Sequence, residues 1–145
     1  MQLTKFTDYA LRTLIFLGSV KGPASLDTIS RAYGISRNHL VKAVNVLEKN
    51  SFIHTKRGVG GGITLARTAE KISLAEVVKC TENSFTLVEC FDREKNQCVI
   101  TEACLLKHIL YKAFQQFMAE LERYTLADIL DNPNQIVRLL QIDNQ

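Results

Sequence analysis

The chain has 145 residues, 46% of them hydrophobic, with 18 Lys/Arg against 15 Asp/Glu and a formal net charge of +3. That suits one domain, or one compact domain with an appendage, of ordinary globular composition. No apolar run reaches the ~18 residues that cross a bilayer, and no basic segment leads into an uninterrupted apolar stretch, so no membrane contact and no secretory leader are expected and the location is read as cytoplasmic.

Charge is unevenly spread. Residues 1–71 hold 11 Lys/Arg against 4 Asp/Glu, and residues 72–145 hold 7 against 11. The first half therefore suits a polyanionic partner and the second does not. In chain order, Lys5 to Val20 is predicted as a helix with two apolar faces. Phe6, Ala10, Leu14 and Leu17 form one, and Leu11 and Ile15 form the other beside Asp8. Two such faces imply two covers, of which one can be a partner subunit. Gly22-Pro23 ends this helix. Ser25 caps a short helix with Leu26, Ile29 and Ala32 on its apolar side, Gly34 stops it, and Ser36 caps the next, from Arg37 to about Lys49. Phe52 to Lys56 and Ile63 to Leu65 read as strands around a glycine-rich tip. Two helices joined by a tight turn and followed by a hairpin make a winged helix.

Ser73 to Lys79 is predicted as a short helix, and Thr81 to Ile100 as a polar irregular stretch. Thr101 is read as the cap of a long helix to about Tyr124, on the order of 35 Å. Leu106, Leu110, Ala113, Phe117, Leu121 and Tyr124 recur along it at the spacing of a helix–helix seam, expected between subunits. Thr125 with Asp128 resembles the cap of a final short helix. The expected fold is mainly α with a small β wing. A winged helix-turn-helix domain spans 1–80, a cysteine-bearing loop 81–101, and a dimerisation helix with C-terminal helices 102–145.

In the second helix of the pair, Leu40, Ala43, Val44 and Leu47 share one face, and Asn38, Lys42, Asn45 and Lys49 the other. A recognition helix in the major groove offers its N-terminal residues to base edges, so Ser36 and Arg37 join that set. Asn pairs with adenine and Arg or Lys with guanine, each pair discriminating by about 1–3 kcal/mol. Lys42 and Lys49 are equally suited to phosphates. His39, on the rim, is read as structural or phosphate-contacting. In the wing, Lys56 and Arg57 precede the tip, and Gly60 and Gly61 allow close backbone approach. Arg57 is expected in the minor groove, where narrow A·T tracts attract arginine.

Cys90, Cys98 and Cys104 fall within 15 residues, spaced x7 and x5. This is neither the paired spacing of zinc ribbons nor the tight run of bacterial ferredoxins. A polar loop around an iron–sulfur cluster fits better. Cys104 would lie at the third position of the long helix, where amides and dipole favour its thiolate. A fourth ligand is open among Cys80, His108 and a carboxylate from elsewhere. A zinc site and a disulfide switch are the other readings of the same cysteines. No nucleophile–base pair, phosphate loop or paired-carboxylate motif is present, so no enzyme is expected.

These residues carry a resemblance to the Rrf-two superfamily of winged-helix regulators, and within it to iron–sulfur repressors that sense nitric oxide. It runs nearly end to end: Met1-Gln2-Leu3-Thr4, Phe6-Thr7-Asp8-Tyr9, Leu11-Arg12 and Leu14 at the start, Ser36-Arg37-Asn38-His39 and Val41-Lys42 in the recognition helix, and Arg57-Gly58 with Gly61-Gly62 in the wing. Cys98, Ile100-Thr101, Ala103-Cys104 and Leu106-Lys107 match the cluster segment, and Tyr124 to Asp128 a further stretch. The resemblance implies a homodimer with one cluster per subunit, 4Fe–4S in preference to 2Fe–2S, held by Cys90, Cys98, Cys104 and Asp8 of the partner subunit. Arg12, one turn after Asp8, would hold it in place. It implies a repressor on a palindromic, A·T-rich operator in double-stranded DNA, released when nitric oxide nitrosylates the cluster. A regulator answering to iron or cluster supply, or to thiol oxidation, is the alternative. A small iron–sulfur electron carrier is the reading from another class.

Overall fold

The structure, a computed structural model, describes residues 2–142. Met1 of the opening motif and the last three residues of the 102–145 segment lie outside them. Helix α1 spans Lys5–Ser19, and the Thr4 side chain caps it by accepting the Thr7 N–H. It buries Thr7, Ala10, Thr13, Leu14, Phe16 and Leu17. Leu11 and Ile15 are half-buried against the same core, so α1's second apolar face is partly covered by its own chain.

Helices α2 (Leu26–Tyr33) and α3 (Arg37–Lys49) are capped by Ser25 and Ser36 as read. Gly34 closes α2 in the left-handed region at φ 63°, a conformation that costs glycine little. The Ser30 hydroxyl donates to the Ile35 carbonyl across this turn at 2.6 Å. Ile29, Leu40, Ala43 and Leu47 are completely buried against Ala10 and Leu14 of α1. Each large aliphatic side chain so buried contributes about 1.5–3 kcal/mol, which fixes α3's polar face outward.

The wing is an antiparallel pair, β1 (Ile53–Lys56) and β2 (Gly62–Leu65), in register from Ile53 opposite Leu65 to Lys56 opposite Gly62. Ala24 adds a one-residue third rung, exchanging both backbone hydrogen bonds with Ile63 at 3.0 and 2.8 Å. The wing is thereby fastened to the loop before α2.

Helix α4 (Leu74–Thr81) lies between two cores. Val77 joins the main one, while Ala75 and Val78 pack with Met118, Phe85, Phe114, Phe117 and Leu121 in a second. The chain then runs through single 3-10 turns at Glu89–Phe91 and Thr101–Ala103 into α5 (Leu105–Glu122). This corrects the expected start. The Thr101 hydroxyl turns back to the Cys98 carbonyl at 2.7 Å instead of capping a helix. Cys104 is therefore extended, at φ −79° and ψ 106°, and occupies the cap position rather than the third helical position. The helix is 18 residues, about 27 Å long, shorter than expected.

The seam read along this helix divides in two. Leu110, Phe117 and Leu121 are half-buried, with Phe117 and Leu121 facing α4, while Leu106 and Ala113 are exposed. Asp128 accepts from both the N–H and hydroxyl of Thr125, but over a single 3-10 turn, Ala127–Ile129. The final helix, α6 (Pro133–Leu139), begins later with Asn132 as its cap and Pro133 in its first turn, and packs on α1.

Candidate nucleic-acid interface and cysteine segment

Asn38, Lys42, Asn45 and Lys49 are all exposed on α3, opposite its buried face. Ser36 is engaged at the helix start, its oxygen 2.9 Å from His39 Nδ1. The His39 ring also stands 6.0 Å from the Tyr9 ring, centre to centre. His39 thus brings the first turn of α3 against α1 and leaves its exposed ring open to a phosphate as well. Arg37 Nε donates to Asp27 at 2.9 Å, but both side chains are mostly exposed, and such a pair yields readily to a phosphate or base.

Lys56, Arg57 and Gly60 are exposed at the wing. Gly58 and Gly60 have positive φ, and the Gly61 N–H donates to the Gly58 carbonyl at 2.9 Å. A side chain on Gly61 would collide with the Lys56 carbonyl. The glycines read as permitting contact with DNA are therefore also required by the turn. Glu48, on α3, accepts from both the N–H and hydroxyl of Thr55, on β1. Wing and recognition helix are joined at this point. Arg67 adds a brace that sequence reasoning missed: its guanidinium lies 4.4 Å from the Phe52 ring centre and donates to the carbonyls of Ser51 and Asn50. Nothing in the spacing around Arg67 marked it. Its partners are two backbone carbonyls, a ring brought near by the hairpin, and Glu76 of α4, whose carboxylate its guanidinium meets at 3.1 Å.

At the start of α1, Arg12 grips Asp8 with two contacts of 3.0 Å, as read from their one-turn spacing. The same guanidinium lies 5.7 Å from the Tyr33 ring centre, on α2. A pair this exposed adds only about 0.3–0.5 kcal/mol, so its effect is to orient Asp8 rather than to hold the fold. Glu82 was also missed. It follows α4 and accepts from the Thr4 N–H at 2.7 Å, the Thr4 hydroxyl at 3.0 Å and the Thr7 hydroxyl. Burial pushes its carboxyl pKa up, but the bonds from Thr7 and Thr4 outweigh this and hold it below the ordinary value.

All four cysteines are free thiols. Cys90 and Cys104 are half-buried and Cys98 is exposed. Asn96 organises the segment, accepting the Cys98 N–H at 3.1 Å and donating to Thr101 at 2.9 Å. Cys90 and His108 line one cavity of about 480 Å³ with Phe91 and Tyr111. Cys80 Sγ donates to the Val77 carbonyl at 3.2 Å, and burial pushes its thiol pKa up, away from the thiolate a metal needs. Three unpaired soft donors in one segment match the chemistry of an iron–sulfur group. Among the described residues, however, no three His, Cys, Asp or Glu side chains gather closely enough to hold a metal ion. Among the same residues no helix is long and apolar enough to cross a membrane.

The profile of the Rrf2 family, described as an iron-dependent transcriptional regulator, matches residues 3–132. The HTH-type transcriptional regulator NsrR of Bacillus subtilis is 45% identical, across 98% of this chain and 99% of that protein. NsrR of Geobacillus kaustophilus is 42% identical, across 97% of each. Among solved structures, IscR of T. potens superposes with a TM-score of 0.73 at 25% identity, over 91% of this chain and 88% of that one. CymR, described as the global cysteine regulator of B. subtilis, superposes at 0.71 with 21% identity, over 89% and 95%, which speaks for the fold. The NsrR proteins and CymR are named as regulators, not enzymes. With its winged helix and this end-to-end match, the chain belongs to the Rrf2 family of transcriptional regulators.

Proposed function

We propose that the chain is a cytoplasmic, homodimeric repressor that binds a palindromic, A·T-rich operator in double-stranded DNA, carries an iron–sulfur cluster and leaves the operator in response to nitric oxide. The observation that carries the DNA-binding part is the exposed polar face of α3, held outward by completely buried Leu40, Ala43 and Leu47. Three free thiols within 15 residues, on a chain 45% identical to an NsrR protein over its whole length, carry the sensing part.

Arg37, Asn38, Lys42, Asn45 and Lys49 meet the major groove, with Ser36 and His39 setting the first turn, and Lys56, Arg57, Gly60 and Gly61 meet the adjacent minor groove. Two copies of α3 must then stand about 34–36 Å apart to fit successive turns of one DNA face. Cys90, Cys98 and Cys104 of one subunit and Asp8 of the other would hold the cofactor, 4Fe–4S in preference to 2Fe–2S. When bound, it supplies soft iron centres with which nitric oxide reacts. Arg12 keeps the Asp8 carboxylate turned in one direction. Because α1 packs directly on α3, a change in what Asp8 holds alters the placement of the recognition helices. The exposed Cys98 thiol favours, as a second reading, a response to thiol oxidation.

The test is operator binding by anaerobically purified protein, titrated separately with nitric oxide and with a thiol oxidant. Release by nitric oxide alone is expected, and Cys98→Ala should lose both iron and that release. Release by oxidant with indifference to nitric oxide favours the second reading.

A further inference from the structure

Val59 stands at the tip of the wing and is fully exposed, at 108% of its reference surface, more than any other large hydrophobic side chain among the described residues. Glycines occupy the three following positions and the one before it. The tip is thus nearly bare backbone from which one branched apolar side chain projects. Val59 has no part in either core. Single exposed apolar residues are common and on their own mean little. This one differs in how it is mounted.

The turn beneath it is closed by the Gly61-to-Gly58 hydrogen bond, and Gly61 has no room for a side chain. Below the turn, the strands are fixed to Ala24 on one side and to Glu48 of the recognition helix on the other. Lys56 and Arg57 flank the tip and suit it to a polyanion. Valine is also stiff about its first side-chain torsion, so little freedom is lost when it is seated against another surface.

We propose that Val59 is an apolar wedge, seated against a deformable base step in the same minor groove that Arg57 enters, with Lys56 beside it at the groove's phosphate edge. Minor-groove proteins use apolar side chains in this way to open flexible steps, which gives sequence preference without a hydrogen bond to a base. The proposal rests on the DNA-binding reading and deepens it: the wing selects by DNA deformability as well as by charge.

The experiment offers full-length protein, purified without oxygen, a pool of duplexes with a randomised centre, and compares the sequences kept by wild type, Val59→Ala and Val59→Lys. Wild type is expected to enrich a pyrimidine–purine step beside each major-groove half-site. Val59→Ala should keep the half-sites, lose selection at that step and bind about tenfold more weakly, the scale of one disfavoured base pair. Val59→Lys should regain affinity at low salt with a steeper salt dependence, but not the step selection. Melting temperatures should match wild type, since Val59 supports no core. Val59→Ala selecting the same step with affinity within about twofold of wild type would overturn the wedge while leaving DNA binding intact. A wild type that enriches no sequence would instead overturn the DNA-binding reading, and the wedge with it.

Discussion

Glu82 shows how a single side chain joins distant parts of this chain. It draws three donors from Thr4 and Thr7 and so fastens the start of α1, where Asp8 lies, to the end of α4. Its carboxyl pKa is lowered in the folded protein, so it contributes stability above its unfolded value and loses that contribution as pH falls through the lower folded value. Glu82→Gln should therefore cost about 1 kcal/mol at neutral pH, and the difference from wild type should begin to shrink near the ordinary carboxylate value of 4.5 and vanish only below the lower folded value. Urea denaturation of both proteins across that range measures it; a difference unchanged at low pH would contradict the assignment. Residue types and spacing made Asp8–Arg12 readable, because one helical turn separates them. Glu82 and Arg67 were not readable, since Glu82's partners lie far along the chain and Arg67's are backbone carbonyls, a ring and a carboxylate at no regular helical or strand spacing.

At the scale of elements, the helix-turn-helix and wing were legible because each boundary has a local chemical signal. Ser25, Gly34 and Ser36 all occupy the positions read for them. The start of α5 was misread for an equally local reason. Thr101 has the composition of a cap, but its hydroxyl finds Cys98 and Asn96 within its own turn, and the helix begins four residues later. The final helix, α6, starts at Asn132-Pro133 and not at the Thr125–Asp128 pair, which closes a single 3-10 turn instead. The wing offers a sharp test of element rigidity. Gly61→Ala forces a side chain into the Lys56 carbonyl and should destabilise the turn by more than about 1 kcal/mol. Hydrogen exchange should accelerate at the Gly61 amide and leave the core amides of α1 and α3 unchanged. DNA affinity should fall with it, and full affinity would show that the turn geometry is irrelevant to binding.

For the whole molecule, α5 has two sides. Phe114, Phe117, Met118 and Leu121 meet α4, while Leu105, Leu106 and Ile109 are exposed at 76, 60 and 63%, close to Val99 and Ile100 in sequence. Under the proposed homodimer this second side is the subunit contact. Ile109→Glu or Leu106→Glu should then shift the protein to monomer in sedimentation and abolish tight binding to a two-half-site operator, while circular dichroism keeps the wild-type helix content. A variant that remains dimeric would move the contact elsewhere. The cysteine segment belongs to this scale too. Its three thiols stand within 15 residues in the sequence, while among the described residues of one chain no three metal-ligating side chains gather, so the proposed site is one that a second subunit would complete.

A cysteine-held iron cofactor that governs DNA binding is the central feature of the proposed regulator. Iron and acid-labile sulfide counts on oxygen-free protein, taken with operator affinity before and after nitric oxide in the same sample, test that directly. The expected result is brown, iron- and sulfide-containing protein whose affinity falls about a hundredfold on exposure, equivalent to ~3 kcal/mol. Colourless, metal-free protein that still binds the operator and releases it to nitric oxide would contradict the account.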